Sequence, residues 1–191
     1  MHRGREARGT ASCSLCSFLV GEHGEHADFP HLDDRGHAHM VDVTGKERSD
    51  RRAVAQLVVE MCSATARQLE RGELPGGDVL ALARGAALFA AKRTADLLPL
   101  CHPLLLDEVT VEIGVGVDRV EVTVSVEARD RTGVEMEALT AATAAGLTIY
   151  AACASVDRSL SIDGLTVLDK SGGRSGRWHR SADGTVHHTA T

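Results

Sequence analysis

The sequence predicts an α+β domain with a mainly antiparallel β-sheet that is covered by helices on one face. Valine and isoleucine alternate with polar residues over 109–115 and again over 120–126, with Gly116 and Asp118 between the two runs. This pattern is typical of a β-hairpin. Helix-forming sequence comes in separate blocks rather than between every pair of strands, which favours an α+β domain over an alternating α/β one.

Three further strands are predicted from shorter apolar patterns. Residues 39–44 contain closely spaced Met and Val side chains, and apolar residues alternate over 53–61 with the period of a half-buried strand. A similar pattern returns over 162–168, around the turn-forming pair Asp163 and Gly164.

Three helices are predicted from caps and composition. Ser63 is expected to cap a helix that stops at Gly72, and Asp78 a longer, alanine-rich helix that runs toward Leu97. Continuous helix formers predict a third helix over 135–155.

One patterned segment accounts for most of the 191 residues. Residues 1–30 are rich in Gly, His, Arg and Ser without an apolar period, and we expect a disordered extension there. Residues 31–178 have the size of an ordinary single domain. Residues 179–191 are expected to be a flexible tail.

Charge and hydropathy exclude several classes of partner. The net charge is −6 and no dense run of Lys or Arg occurs, so nucleic acid and anionic membranes are not expected partners. The longest apolar stretch, 97–106, is interrupted by Pro99, His102 and Pro103 and is too short to span a bilayer. We therefore expect a cytoplasmic protein.

The cysteines suggest a reducing compartment. There are five, an odd number, and three lie in apolar segments, which fits free thiols better than a disulfide framework. Cys13 and Cys16 have the spacing of half a zinc site, with His23 and His26 nearby. The alternative is an incidental pair, since no second pair with standard spacing exists, and we predict neither a metal nor another cofactor.

A cationic segment followed by a histidine suggests an anion site. Lys92 and Arg93 lie near the predicted end of a helix, and His102 follows, flanked by prolines. Lys and Arg can bind phosphate, and histidine can donate a hydrogen bond or a proton near neutral pH. Alternatively, the cations only complement the helix dipole and His102 is a satisfied turn residue. The local pattern leaves both interpretations open.

Two other segments could contribute to a ligand site. Glu135 and Glu137 follow Gly133 at a strand-to-helix junction; they could share one face of an extended stretch or simply favour a helix dipole. Residues 170–176, a glycine-rich loop that begins with Lys170, could offer amides and charge to a phosphate or could be a flexible linker.

Six blocks of sequence together carry a family resemblance. They read Met-Val-Asp-Val, Ala-Lys-Arg-Thr, Leu-Pro-Leu-Cys-His-Pro, Thr-Gly-Val-Glu-Met-Glu-Ala-Leu-Thr, Leu-Thr-Ile-Tyr and Lys-Ser-Gly-Gly-Arg-Ser-Gly, at 40–43, 91–94, 98–103, 132–140, 147–150 and 170–176. In this order and near this spacing they resemble the cyclic pyranopterin monophosphate synthases of molybdenum-cofactor biosynthesis, often called MoaC. The resemblance runs from about His31 to Trp178.

The resemblance implies a ferredoxin-like α+β subunit that assembles as a hexamer of dimers, with pockets at the dimer interfaces. It implies as substrate the 3′,8-cyclised dihydro-GTP supplied by a radical-SAM cyclase, which the family rearranges to cyclic pyranopterin monophosphate with loss of pyrophosphate. Assembly is also expected because a sheet covered on one face leaves apolar sheet surface to bury.

The resemblance further implies a set of ligand contacts. The triphosphate would bind at Arg51, Lys92 and His102, with Lys170 completing the pocket. The residues implied beside the substrate are Leu100, Cys101, Glu135, Met136 and Glu137.

Three positions depart from the family pattern. After Tyr150 the family has Asp-Met-Cys-Lys, whereas this chain has Ala-Ala-Cys-Ala, so Ala151 and Ala154 replace a catalytic aspartate and a catalytic lysine. Gly76 stands where the family has another catalytic lysine. Because alanine and glycine transfer no protons, we expect a chain that binds the cyclised nucleotide but is impaired in the family reaction or diverted from it. A non-catalytic nucleotide-binding or scaffold homologue is the alternative.

Overall fold

The computed structural model describes residues 30–33, 35–174 and 176–189. The described chain divides into two units at Met40, and the first is represented by residues 30–33 and 35–39. In the described part of the first unit, Leu32 and Ala38 form an isolated antiparallel bridge. Asp33 stabilises the intervening turn, because its carboxylate accepts two backbone N–H hydrogen bonds at 2.9 and 2.7 Å.

The expected disordered extension lies almost wholly outside the described residues, and so does the half zinc site at Cys13, Cys16, His23 and His26. Among the described residues, no group of three or more His, Cys, Asp or Glu side chains is arranged to hold a metal ion. The three described cysteines, Cys62, Cys101 and Cys153, are free thiols.

The second unit contains all the helices and longer strands of the described chain. The strands are β1 (Ser49–Glu60), β2 (Glu108–Val115), β3 (Arg119–Asp130), β4 (Ser161–Ser171), β5 (Arg177–Arg180) and β6 (Val186–Thr189). The helices are α1 (Ser63–Glu70), α2 (Val79–Ala91), α3 (Thr94–Leu97) and α4 (Glu135–Cys153).

All six strands form one antiparallel sheet in the order β2-β3-β1-β4-β5-β6. The hairpin predicted from alternating valines is confirmed as β2 and β3, in which Val115 pairs with Val120. β1 pairs with β3 along its whole length and with β4 on its other side, where the register shifts near Val54 and Gln56. The long strand β1 is therefore central in the sheet.

One face of the sheet forms the core with the helices. The buried strand residues are Ala53, Ala55, Leu57, Val59, Val120, Val122, Val124 and Val126. Helix α4 packs on β1, β3 and β4, and α2 packs on α4 and β2. Close approach of α4 depends on Gly146, because a Cβ there would press into the Leu57 side chain. Helices on one face of an antiparallel sheet confirm the predicted α+β class and are compatible with a ferredoxin-like fold.

Helix α4 is central to this core. By length and composition it could cross a membrane. However, Ala138, Ala142, Ala145 and Ile149 are fully buried against the rest of the domain, as in the core helix of a globular domain.

The opposite face of the sheet is largely polar. Its side chains include Gln56, Thr123 and Ser125, and Arg52 bridges Glu127 and Asp169 at 3.2 and 3.1 Å. The expectation that this face is apolar is therefore wrong, because the period-two alternation that buries one face places polar residues on the other. Exposed apolar side chains lie instead on α2 and α4, namely Leu82, Leu88, Phe89, Met136, Leu147 and Tyr150.

The predicted strand over 39–44 is not formed. Instead, the Asp42 carboxylate accepts hydrogen bonds from the backbone N–H and the hydroxyl of Thr44, both at 2.8 Å. Such a side-chain turn offers the backbone an alternative to sheet pairing, and the short apolar pattern did not reveal it.

The predicted helices are confirmed, but one cap differs. Asp78 caps α2 as predicted, accepting from the Ala81 N–H at 2.9 Å, whereas Ser63 is the first residue of α1 and Cys62 occupies the cap position. The Asp157 carboxylate accepts from the Cys62 N–H at 2.7 Å, so a distant residue stabilises this helix end. Helix α2 ends at Ala91, and its expected continuation forms the separate turn α3.

The segment expected to be a flexible tail contains regular strands. β5 pairs with the end of β4, and β6 pairs with β5 through a turn at Asp183, whose carboxylate accepts from the Ser181 hydroxyl at 2.6 Å. These strands are short and rich in histidine and arginine, so no apolar period revealed them.

Candidate functional site

A cavity of about 870 Å³ opens where three segments meet: the chain before β1, the loop between β3 and α4, and the glycine loop after β4. Six cationic side chains line it, namely Lys46, Arg48, Arg51, Arg131, Lys170 and Arg174. We call it the cationic cavity. Its uncharged lining is Gly45, Ser49, Thr132, Gly133 and Gly173, and Glu47 is its one acidic lining residue among those described.

Arg51 is held in a fixed position in the cationic cavity. Its Nε donates to the Asp130 carbonyl at 3.2 Å and its Nη2 donates to the Arg131 carbonyl at 3.1 Å. The glycine loop passes close to this side chain at Gly172 and Gly173, which have φ of +93° and +75°. A Cβ at Gly172 would overlap the Asp50 carbonyl, and one at Gly173 would overlap the Arg51 guanidinium. Glycine is therefore required at both positions by conformation and by space.

Lys170 and Glu135 form an ion pair at the same cavity, and both side chains are mostly buried. Glu135 is the first residue of α4, and its carboxylate folds back over Gly133, where a Cβ would overlap it. Arg131 contributes a further cation, and its Nε is buried without a hydrogen-bond partner in the described structure. The loop between β3 and α4 thus supplies a cation, a glycine and an acid to one place.

The cationic cavity has an excess of positive charge. In the part of the chain that the structure describes, Lys170 is the one lining cation that forms an ion pair with an acid; the remaining five form none. Arg48 and Arg174 are exposed, and Lys46, Arg51 and Arg131 are half-buried. Cations gathered around one open volume attract an anion with several negative charges, such as a polyphosphate.

Sequence reasoning found Arg51, Glu135 and Lys170, which the structure brings together, but missed Lys46, Arg48, Arg131 and Arg174. The net negative charge concealed them, because no dense cationic run occurs. The available signal was the spacing of Lys46, Arg48 and Arg51 within six residues, at the start of the strand β1.

A second, smaller cavity of about 70 Å³ lies at the other side of the first turn of α4. Lys92, Thr94, Asp96 and Glu137 line it with Ala91, Ala95, Pro103 and Leu104. The Glu137 side chain is 4% exposed. Burial raises the pKa of Glu137 to about 7, and the nearby charge of Glu135 contributes to the increase.

The loop after α3 lies beside this second cavity. The pKa of the Cys101 thiol is raised by burial and by the charge of Glu137, so these two predicted residues are neighbours. His102 is half-buried and close enough to Asp42 to help lower the pKa of that carboxyl, which is mainly lowered by the Thr44 N–H. Leu100 is half-buried in the same loop, while Met136 is exposed on α4.

The three departing positions lie elsewhere. Ala151 and Ala154 are exposed at the C-terminal end of α4, where Ala154 is the cap residue, and neither Ala151, Ala154 nor Gly76 lines either cavity. Gly76 lies between α1 and α2 with φ of +111°. The predicted site residues of one chain therefore do not form a single pocket.

Comparison with known proteins places this chain among close relatives. Residues 40–173 match the MoaC family. The cyclic pyranopterin monophosphate synthase of Thermomicrobium roseum is 47% identical over 163 residues, which are 84% of this chain and 98% of that protein. The cyclic pyranopterin monophosphate synthases 2 of Mycobacterium bovis and Mycobacterium tuberculosis are each 48% identical over 153 residues, which are 80% of this chain and 92% of each relative. With a family match over most of its length and relatives of this identity, the chain belongs to the MoaC family.

Proposed function

We propose that this chain binds 3′,8-cyclo-7,8-dihydro-GTP, and that it either converts this nucleotide slowly to cyclic pyranopterin monophosphate and pyrophosphate or diverts it to a different product. The relatives that carry the name cyclic pyranopterin monophosphate synthase supply the reaction. The observation that carries the proposal is the cationic cavity, in which Arg51, Lys170 and four other cations surround one open volume.

The size and charge of the cationic cavity suit a nucleotide triphosphate. Its volume of about 870 Å³ lies in the range of roughly 300–1,000 Å³ usual for small-molecule sites. The triphosphate would lie against Arg51, Lys170 and the unpaired cations, since charge-assisted hydrogen bonds dominate phosphate recognition. Glycine at 172 and 173 lets the loop close on that group.

Slow turnover is proposed because the exposed end of α4 carries alanine at 151 and 154. A positioned acid or base typically contributes about 10²–10⁴ to a rate, and neither alanine can act as one. Gly76 likewise brings no ammonium group. A different reaction of the same nucleotide would depend on the polar side chains that are present near the second cavity, namely Lys92, Cys101, His102 and Glu137.

We propose that the complete site forms between copies of the chain. In one copy the cationic cavity and the Lys92–Glu137 cavity are separate, and the exposed apolar residues of α2 and α4, such as Phe89 and Leu147, offer surface for assembly. A symmetric oligomer of the hexameric type would bury that surface. The proposed setting is the cytoplasm, with a radical-SAM GTP cyclase as the supplier of substrate.

A non-catalytic nucleotide-binding or scaffold protein is the second candidate. It is favoured by Gly76, because its φ of +111° is one that a lysine rarely adopts, so a lysine does not fit this loop as it is folded here.

Incubation with the cyclised nucleotide followed by mass analysis separates the two candidates. Formation of a new product supports an enzyme, and recovery of unchanged bound nucleotide supports a binding protein. Calorimetry with the nucleotide or with tripolyphosphate tests binding itself, with Lys170→Ala as the variant. Arg84→Ala, which removes an exposed cation of α2 outside both cavities, is the matched control. Equal affinity for both variants would contradict the proposed phosphate site.

A further inference from the structure

The two carboxylates in the first turn of α4 have opposite environments. Glu135 points to the sheet and pairs with Lys170 at the cationic cavity. Glu137 is 4% exposed and lines the second cavity beside Lys92. Residues two apart on a helix do not face the same side, so this turn separates an acid in an ion pair from a buried acid without one.

The charged and titratable groups around Glu137 come from four segments of the chain. Lys92, which follows α2, and Asp96 of α3 line its cavity. Cys101 approaches from the loop after α3, and Glu135 lies on α4 itself. Lys92 is exposed and forms no ion pair with Glu137 within the described structure. Burial therefore dominates, and it raises the pKa of Glu137 to about 7, so the carboxyl is divided between its two forms near neutral pH.

Occupation of the cationic cavity would change this balance. Lys170 is the counter-charge of Glu135 and also lines that cavity, so a bound phosphate competes with Glu135 for the same ammonium group. The phosphate adds negative charge and leaves Glu135 less neutralised. Both effects disfavour a second carboxylate at Glu137, because like charges nearby favour the neutral form of an acid.

We propose that Glu137 takes up a proton when phosphate occupies the cationic cavity, so that the first turn of α4 presents a carboxylic acid rather than a carboxylate to the separate second cavity. This inference rests on the proposed function for the phosphate site. The proton comes from solvent; its transfer to a nitrogen or oxygen of the nucleotide would return Glu137 to the carboxylate, and no electrons are exchanged with another reagent. Glu137 would thus supply an acid to a chain that has alanine at 151 and 154.

Proton-counting calorimetry tests this inference. Binding of tripolyphosphate is measured near pH 7 in two buffers with different ionisation enthalpies, which gives the protons taken up per anion. We expect tripolyphosphate to bind both wild type and Glu137→Gln, and wild type to take up about 0.4 proton more per bound anion. The reason is that an increase in the proton affinity of Glu137 on binding appears as proton uptake. Protonation of the anion itself cancels in this difference.

The matched variant Glu135→Gln separates the two acids. It frees Lys170, so we expect roughly two- to fivefold tighter anion binding, the size of an ion pair released, together with less proton uptake. Absence of binding by wild type would overturn the phosphate site itself and this inference with it. Equal uptake by wild type and Glu137→Gln would overturn the inference while the phosphate site stands. Should Glu137→Gln fail to fold, carboxyl-carbon NMR titration of Glu137 in wild type decides, because its midpoint must rise when the anion is added.

Discussion

The two ends of α4 differ in chemistry although they belong to one helix. The first turn carries Glu135, paired with Lys170, and the buried Glu137. The last turn presents Ala151 and Ala154 to solvent, with no titratable side chain at either position. Groups suited to hold an anion are thus present at one end, whereas positions 151 and 154 at the other end carry no group that can transfer a proton.

The difference has a physical explanation in what each end contributes to the fold. Arg51 donates to two carbonyl groups of the β3–α4 loop, and Gly172 and Gly173 fit closely against it. Changes there would disturb backbone packing. Exposed alanines at a helix end hold nothing together, and surface substitutions usually change stability by less than about 0.5 kcal/mol. Substitutions of the cations and glycines embedded in the fold are therefore expected to cost more stability than substitutions at the exposed positions 151 and 154.

The largest expected effect concerns the exposed C-terminal end of α4, at Ala151 and Ala154. We expect the chain to form cyclic pyranopterin monophosphate undetectably or several orders of magnitude slower than an ordinary enzyme, and Ala151→Asp with Ala154→Lys to raise the rate by about 10²–10⁴. The two positions are three apart on one helix face and would act as a unit, so each single reversion should recover far less. Product formation from the cyclised nucleotide, followed by mass analysis, measures this.

The matched control moves the lysine by one residue, combining Ala151→Asp with Ser155→Lys, both at exposed positions. Recovery by this control would mean that added charge alone suffices. If wild type makes product at an ordinary rate, the proton-transfer roles of positions 151 and 154 are wrong.

The second-largest effect is a pH dependence of the free energy of unfolding that arises from Glu137 in the first turn of α4. The pKa of Glu137 is about 7 in the folded chain against an ordinary value of 4.5, so between these values the folded state holds a proton that the unfolded state has lost. The free energy of unfolding then falls as pH rises. Glu137→Gln lacks this penalty, so its stability relative to wild type should rise by about 3 kcal/mol at most from acidic to mildly alkaline pH, at about 1.4 kcal/mol per pKa unit.

Urea unfolding of wild type and Glu137→Gln at about pH 5 and about pH 8 measures the difference in their free energies of unfolding. These two pH values lie on either side of the Glu137 pKa of about 7. A pH-independent difference between the two proteins would show that Glu137 is ionised in the folded chain throughout. The first turn would then hold two carboxylates, and the contrast with Glu135 would disappear.

The third effect concerns the cationic cavity. Arg51→Ala should weaken tripolyphosphate binding about tenfold, equivalent to about 1.4 kcal/mol, because it removes a fixed cation. It should also lower the melting temperature, since the Asp130 and Arg131 carbonyls lose their donors. Arg51→Lys keeps the charge but not the planar donor fork, so it should restore affinity more than stability. Calorimetry and thermal unfolding separate these outcomes, and unchanged affinity in Arg51→Ala would contradict the assignment.

The sequence was sufficient for the features that depend on local patterns. Alternating valines predicted β2 and β3, and Asp78 was identified as the cap of α2. The cap of α1 could not be predicted, because the acceptor for the Cys62 N–H is Asp157, 95 positions away. Only two of the six cations of the cationic cavity, Arg51 and Lys170, were predicted, for the same reason. Arg48, Arg131 and Arg174 meet through the pairing of β1 with β3 and β4. Long-range pairing has no local signal in one sequence.

The smallest effect concerns Gly76, in the loop between α1 and α2. Substitutions there test whether the backbone of this loop can accept a lysine. Gly76 has φ of +111°, and nothing lies within 4 Å of a Cβ built on it, so any cost of a side chain comes from conformation alone. Gly76→Lys should destabilise the chain by about 1–2 kcal/mol, the penalty for a left-handed L-residue. Gly76→Ala carries the same backbone cost without an ammonium group and is the matched control.

Both changes are to be compared in the Ala151→Asp, Ala154→Lys background, by urea unfolding and by product formation. If the loop reaches the nucleotide, Gly76→Lys adds rate that Gly76→Ala does not, despite equal loss of stability. If the two variants are equally slow, the loop lies away from the substrate and the contrast between the two ends of α4 is sufficient to explain the chemistry. Equal stability of wild type and both variants would instead mean that residue 76 leaves the left-handed region readily, and that restoring a lysine there meets no backbone barrier.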